Sequence, residues 1–283
     1  MQPVTDTEAV RRLFDELAGE YDQHVPFFAT FGRDLAAWIG LRPGQRVLDV
    51  AAGRGAVAGP AARAVGPGGA VLAIDNAPSM LRALADDWRG VRRLAASVMD
   101  AHRLGVKDAC FDVVTCGFAF HFVDNPRQAI AEAYRVLCPG GLLAFSGPPT
   151  GSPADRDEQP DRDRARQWAF YVGELMKDMA RRAGEAEKPD PFTPPPRPLP
   201  ELCAEAGFTG IEQRSARAAF ALRDPQHYWD WSMSHGFRGY VDSLGPQLGG
   251  EFRVKMFAGL ERMHASGGIT LDSSVVFTRM RKA

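Results

Sequence analysis

Lysine is scarce in this sequence. Its 283 residues hold it only at Lys107, Lys177, Lys188, Lys255 and Lys282, so arginine supplies nearly all the positive charge. Neither sign is in excess: 34 basic residues face 35 acidic ones, a net charge of -1. That balance excludes the broad basic surface that nucleic-acid binding requires. Cysteine is also sparse. Cys110, Cys116, Cys138 and Cys203 are scattered and form no C-x-x-C, so reduced structural thiols are expected rather than a disulfide framework. No apolar run reaches the length of a bilayer, and the stretch from Met1 to Asp15 carries acids and arginines where a signal peptide would be apolar. The expectation is a cytoplasmic protein without stable membrane association. There is no H-E-x-x-H and no carboxylate-histidine set with ligand spacing, so no metal is expected. With 45% hydrophobic residues, a chain of this length buries a sizeable core without staples.

Regular alternation is what the sequence does have. Residues 7–21 place Val10, Leu13, Phe14 and Leu17 at helical spacing, and a second helix is read over 31–39. From Arg46, short β-rich runs at 47–50, 70–74, 91–96, 111–116 and 141–145 alternate with helical stretches at 56–65, 77–86 and 125–137. Several runs are apolar enough to be buried on both faces, which implies a parallel sheet covered by helices. The rhythm breaks after Phe145, through a mixed-charge stretch (155–166), a helix (167–182) and a proline run (189–200) that read as a lid or linker. It resumes with a helix at 199–206 and strands at 210–214 and 274–278, separated by aromatic-rich helical material at 225–263.

The most informative segment is Val47-Leu48-Asp49-Val50-Ala51-Ala52-Gly53-Arg54-Gly55. A buried strand leads into a turn of small residues and then a helix, so backbone passes close to any ligand and free N–H groups point at it. The segment fits a dinucleotide fingerprint loosely, and a tight connecting turn accounts for it as well. Asp49, an acid just ahead of the loop, suits an amine or a cationic group better than a pyrophosphate and points to a positively charged nucleoside.

This segment resembles motif I of the class I S-adenosylmethionine-dependent methyltransferases. Ala73-Ile74-Asp75-Asn76, Met99-Asp100-Ala101 and Arg135-Val136-Leu137-Cys138-Pro139-Gly140-Gly141 resemble the motifs that follow in that superfamily. Together with Leu13-Phe14-Asp15 and Tyr21-Asp22 they are most similar to its type 11, ubiquinone/menaquinone methyltransferase-like group. The resemblance implies an α/β, Rossmann-like, seven-stranded and mostly parallel sheet with helices on both faces, an N-terminal helical cover and helical lid insertions. It implies S-adenosyl-L-methionine as cofactor, held by Asp49, Ala51, Gly53, Gly55, Asp75, Asn76, Met80, Asp100, Ala101, Gly117 and Phe118. Within that set Asp75 would take the ribose hydroxyls, and Asp100 with Ala101 would read adenine. His102 is read as a loop or capping residue.

His121 and Tyr21 are the catalytic candidates. The acceptor is expected to be a small molecule meeting His24, Trp168, Tyr171, Trp229, Trp231 and His235, an aromatic set that favours an apolar or aromatic specialised metabolite. Methylation at oxygen, nitrogen or carbon, a quinone-pathway acceptor, a nicotinamide-dependent oxidoreductase and a non-catalytic cofactor binder remain alternatives. The organisation expected is a cover (1–40), a cofactor-binding core (41–148), a lid or linker (149–198) and a returning core segment (199–283) with an acceptor-pocket insertion at about 222–268. A homo-oligomer is left open. Trp168–Arg182 and His227–Phe237 are expected to be movable, hinged at Gly184, Pro189, Gly236 and Gly239.

Overall fold

Successive residues of a strand point to opposite sides of its sheet, and in the central strands both sides are apolar. Val47, Val113, Leu142 and Ala144 join one buried cluster, while their neighbours Leu48, Val114, Leu143 and Phe145 join another. These residues lie in β1 (Arg46–Val50), β4 (Phe111–Gly117) and β5 (Leu137–Gly147). A sheet buried on both faces needs helices on both. One cluster is closed by Phe31 and Leu35 of α2 (Phe27–Trp38), by α3 (Ala58–Val65) and by α4 (Pro78–Asp87). The other is closed by α5 (Pro126–Val136) and α7 (Leu199–Glu205). The computed structural model describes residues 7–148, 160–184 and 197–283, with side chains from 167 onward in the second segment.

Adding β2 (Ala70–Asp75), β3 (Leu94–Val98), β6 (Phe208–Leu222) and β7 (Ile269–Lys282) gives one seven-stranded sheet in the order β3-β2-β1-β4-β5-β7-β6. The strands from β3 to β5 pair in parallel, and β7 runs antiparallel to both β5 and β6. Chain order reverses between β1 and β4, so their carboxyl ends open the crevice in which open α/β sheets bind ligands.

Four helices form a third apolar cluster beside the sheet: α6 (Pro160–Arg182), α8 (Pro225–Met233), α9 (Phe237–Ser243) and α10 (Gly245–Ala265). Met179, Phe252 and Met256 lie at its centre. A junction of Val25, Leu222, Leu260, Ile269 and Leu271 ties it to the sheet. The first helix, α1 (Thr7–Leu17), lies on α4, where Ser79 N–H donates to Asp15 Oδ1 at 2.6 Å. No helix among the described residues is long and apolar enough to cross a membrane.

Several boundaries differ from the sequence reading for identifiable reasons. Helix α1 stops at Leu17, and α2 begins at Phe27 because Asp22 accepts the N–H groups of Phe28 (2.9 Å) and Ala29 (2.7 Å), meeting the donors that open a helix. Strand β3 starts at Leu94, since Arg93 takes a left-handed conformation (φ 75) just before it. The last two strands are far longer than expected, with 15 and 14 residues. The mixed-charge residues 155–159 and residues 189–196 of the proline run lie outside the described residues.

Candidate active site

Loop geometry fixes the floor of the crevice. Ala51, Gly53 and Gly55 are all left-handed (φ 52, 51 and 85), a conformation that glycine adopts without strain. A Cβ on Gly53 would meet open space, whereas one on Gly55 would come within 2.9 Å of Trp88 Nε1. Gly53 therefore borders the cavity. Gly55, expected at the cofactor, instead lets Trp88 close over the loop's back, where its Nε1 donates to Arg54 O at 3.0 Å. The Arg54 side chain donates twice to Asp87 (2.8 Å each) and once to Ala18 O (2.8 Å), joining the loop, α4 and the segment after α1.

Two carboxylates at strand ends flank this loop. Asp75 ends β2, buried; its Oδ2 accepts Gly53 N–H at 2.8 Å and its Oδ1 accepts Ala77 N–H at 2.9 Å. Burial raises its pKa against these bonds. A carboxylate has about four acceptor sites, so it keeps capacity for a diol. Asp49 is 1% exposed. Its Oδ1 accepts from Thr115 Oγ1 at 2.6 Å, its Oδ2 has no hydrogen-bond partner among the described residues, and burial pushes it up to about 7.

A cavity of about 750 Å³ opens above these strand ends. Ala51, Gly53, Asp75, Asn76, Met80, Asp100, Ala101, Gly117 and Phe118 all line it, as do Tyr21, His121, Trp231 and His235. Asp49 borders instead an adjoining space of about 250 Å³, which shares Tyr21, Phe28, Ala51, Gly53, Gly117 and Phe118 as walls. Asp100 Oδ1 accepts His102 N–H at 2.8 Å and lies 2.7 Å from His102 Nδ1. His102 Nε2 is 2.8 Å from Asp124 Oδ1, and Thr7 Oγ1 donates to Asp124 Oδ2 at 2.8 Å. His102 thus links the rim of the cavity to α1.

The remaining wall is aromatic. Phe118, left-handed at the end of β4 (φ 56), sits 5.5 Å from both Phe27 and Phe28. Tyr21 stacks on Phe28 at 4.6 Å, and burial raises its hydroxyl well above its ordinary value. Burial lowers His121, whose ring lies 4.2 Å from Phe122, to about 4. It lowers His235 to about 4 as well. A polar corner completes the lining. Ser215 and Arg217 of β6 meet Asp272, Ser273 and Ser274 of β7 there, with Arg217 Nε donating to Asp272 Oδ1 at 2.6 Å.

Four residues expected at the acceptor do not line either cavity. Trp168 donates to Tyr228 Oη at 2.9 Å and stacks on Tyr171. Tyr171 donates to Lys255 O at 2.9 Å. Trp229 is buried in the helical cluster under Arg253. His24 is half-buried and its carbonyl lies 3.0 Å from His227 Nε2. In Trp168, Tyr171 and Trp229, which lie on helices, the apolar surface packs helix to helix. Residues not anticipated are Phe27 and Phe28, which the later helix start had hidden, and the polar corner. Its signal was present as the period-two pattern Ser215, Arg217 against Ala216, Ala218, Phe220.

Sheet order, glycine loop and strand-end carboxylates define a Rossmann-like α/β protein shaped to hold a nucleoside across the β1/β4 crevice. More particularly, the chain belongs to the methyltransferase family. Residues 48–145 match the family described as a methyltransferase domain. The chain is 34% identical to nocamycin O-methyltransferase of Saccharothrix syringae over 291 residues, covering 96% of this chain and 98% of that one. It is 36% identical to aklanonic acid methyltransferase DauC of Streptomyces sp. strain C5, over 52% of this chain and 69% of the relative. A solved structure from Bacillus halodurans C-125 shares the fold, with a TM-score of 0.57 at 22% identity over 88% of this chain and 97% of that one.

Proposed function

We propose that the protein moves a methyl group from S-adenosyl-L-methionine to an oxygen of a small, apolar or aromatic specialised metabolite. The observation that carries the reading is a cavity lined by the strand-end carboxylate Asp75, by Asp100 and by an aromatic wall, with Asp49 on the space adjoining it. The donor set fits the cofactor. Asp75 would take the ribose hydroxyls, Asp100 and the Ala101 backbone the adenine, and the partnerless Asp49 Oδ2 the ammonium of the methionine end. Bound there, the cofactor supplies a sulfonium-activated methyl group. The chain's share is to position the acceptor, to exclude water and to surround a cation with aromatic faces. Phe27, Phe28, Phe118 and Trp231 serve the last of these. Full-length likeness to an enzyme named for nocamycin, and partial likeness to one named for aklanonic acid, favour a specialised metabolite and oxygen as the methylated atom. Residues 41–148 would hold the cofactor, 1–40 cover it, and the insertion at about 222–268 build the acceptor side, in a cytoplasmic enzyme.

Calorimetric titration tests the reading. S-adenosylmethionine and S-adenosylhomocysteine should bind in the micromolar range, worth about 8 kcal/mol, and NAD should not bind. Binding of NAD without either nucleoside would overturn it.

A further inference from the structure

Three elements distant in sequence contribute to the cavity wall: Thr7, Val10 and Phe14 of α1, Met99 to His102 after β3, and His121 to Val123 before α5. A chain of polar contacts joins them. Asp100 Oδ1 accepts the His102 backbone N–H at 2.8 Å and lies 2.7 Å from the ring Nδ1. On the other side of the ring, the buried Nε2 lies 2.8 Å from Asp124 Oδ1, a close contact without hydrogen-bond alignment. Asp124 Oδ2 accepts from Thr7 Oγ1 at 2.8 Å. The start of α5 steadies the middle of the chain: Gln128 Nε2 donates to His102 O at 2.9 Å, and the Asn125 N–H donates to Asp124 Oδ1 at 2.7 Å.

The His102 ring is wedged between two carboxylates, its side chain only 15% exposed, whereas that of Asp100 is 58% exposed. An exposed loop side chain samples several rotamers unless something pins it. Here Oδ1 is pinned by the ring and the backbone N–H of His102, and Oδ2 has no hydrogen-bond partner among the described residues. A carboxylate oxygen accepts and does not donate. An Asp100 held in one orientation therefore takes the amine of a purine and rejects a carbonyl in its place. The other end of α1 is latched separately, where Asp15 accepts the Ser79 N–H at 2.6 Å. A single side chain thus stands between Asp100 and the first turn of α1.

We infer that His102 is a positioning residue with two effects: it orients Asp100 for the exocyclic amine of the cofactor's purine, and through Asp124 and Thr7 it couples binding of that amine to closure of α1. A ligand shifts a conformational equilibrium only by binding one state better than the other. The amine does so because the ring that pins Asp100 also rests on Asp124, which Thr7 holds. Coupling of this kind is reciprocal: loosening α1 weakens the grip on the amine, and a purine without the amine leaves α1 looser. The inference rests on the methyl-transfer reading and concerns how the chain reads its cofactor.

The test compares S-adenosylhomocysteine with S-inosylhomocysteine, which carries a carbonyl in place of the purine amine. In calorimetry S-adenosylhomocysteine should bind at least about tenfold more tightly, the scale of one charge-assisted hydrogen bond. At equal saturation it should also slow hydrogen exchange across α1 (Thr7–Leu17) more than the inosyl compound does. His102→Phe removes both ring nitrogens and keeps the backbone N–H. It should cut the preference at least about fivefold, mainly by weakening S-adenosylhomocysteine, and erase the exchange difference. His102→Asn, whose shorter amide reaches Asp100 but not Asp124, should retain most of the preference and still lose the exchange difference, a split that a ring needed only for folding would not produce. Equal affinities in the unaltered protein, an undiminished preference in His102→Phe, a loss shared equally by both nucleosides, or an exchange difference that survives in both variants would each overturn the inference. Failure to bind either nucleoside would overturn the methyl-transfer reading as well, whereas binding of both without preference overturns this inference alone.

Discussion

At the residue scale the two strand-end carboxylates do different work. Asp75 already holds two backbone N–H groups, so its removal affects both the ligand and the loop. Asp75→Ala should weaken S-adenosylhomocysteine binding by about 1–3 kcal/mol and lower stability by about 1–3 kcal/mol through the orphaned donors. Calorimetry and urea titration read the two effects separately, and unchanged affinity would show that Asp75 only shapes the loop. Asp49 behaves unlike an ordinary surface acid. Burial raises it from 3.8 to about 7, so the folded chain binds its proton more tightly than the unfolded chain. The stability it contributes is complete below pH 3.8, declines as pH rises, and is lost above about 7. That contribution amounts to a few kcal/mol at most. Asp49→Asn should therefore flatten the pH dependence of the melting temperature across this window in the ligand-free protein. Cofactor affinity should rise with pH through about 7 as the carboxylate ionises toward the ammonium, and the Asn variant should lack that rise. An identical pH profile in the two proteins would assign the titration elsewhere.

At the element scale, what the sequence revealed depended on burial symmetry. Strands β1, β2 and β4 were legible because both of their faces are apolar, and the carboxylates at their ends stood out as acids closing apolar runs. Strand β6 was not. It is an edge strand, exposed along most of its length, so it alternates small and polar residues instead of forming an apolar run. The polar corner of the cavity was hidden with it. The aromatics of α6 and α8 misled in the opposite direction, because a helix packed on helices carries the same composition as a pocket wall. Gly236 and Gly239, expected as hinges, also allow close approach. A Cβ at either would lie 2.8 Å from Phe122 Cζ or Leu13 Cδ2, respectively. Beside the Asp15 and Thr7 hydrogen bonds to Ser79 and Asp124, Arg54 ties the N-terminal cover down, its guanidinium bridging Asp87 and Ala18 O. Arg54→Ala should speed hydrogen exchange across residues 7–21, cost about 1–2 kcal/mol of stability and weaken cofactor binding. Unchanged exchange there would mean that the apolar contact of Phe14, Ala18 and Tyr21 with Ala77 and Met80, with the Asp15 and Thr7 hydrogen bonds, holds the cover without Arg54.

At the scale of the whole molecule, the cofactor and acceptor sides of the cavity rest on different cores. The cofactor side is built on the sheet, whose two clusters are closed by α2, α3, α4, α5 and α7. The acceptor side borrows Trp231, His235 and Gly236 from segments whose packing depends on the helical cluster around Phe252. Phe252 is completely buried there, within 6 Å of Phe237 and Tyr240 between ring centroids. Its truncation leaves a cavity that rigid neighbours fill only in part. Phe252→Ala should therefore cost about 3–5 kcal/mol, drawn from the helical cluster rather than the sheet. The tryptophans divide along the same line: Trp38 and Trp88 pack on the sheet, and Trp168, Trp229 and Trp231 belong to the helical cluster and its junction. In Phe252→Ala, fluorescence dominated by the latter three should change at lower urea than the far-ultraviolet signal of the sheet. S-adenosylhomocysteine affinity should stay near that of the unaltered protein, while affinity for a small aromatic acceptor falls. If the two signals instead move together and cofactor affinity falls with them, the junction of Val25, Leu222, Leu260, Ile269 and Leu271 couples both cores into one cooperative unit, and the acceptor side cannot loosen without the cofactor side.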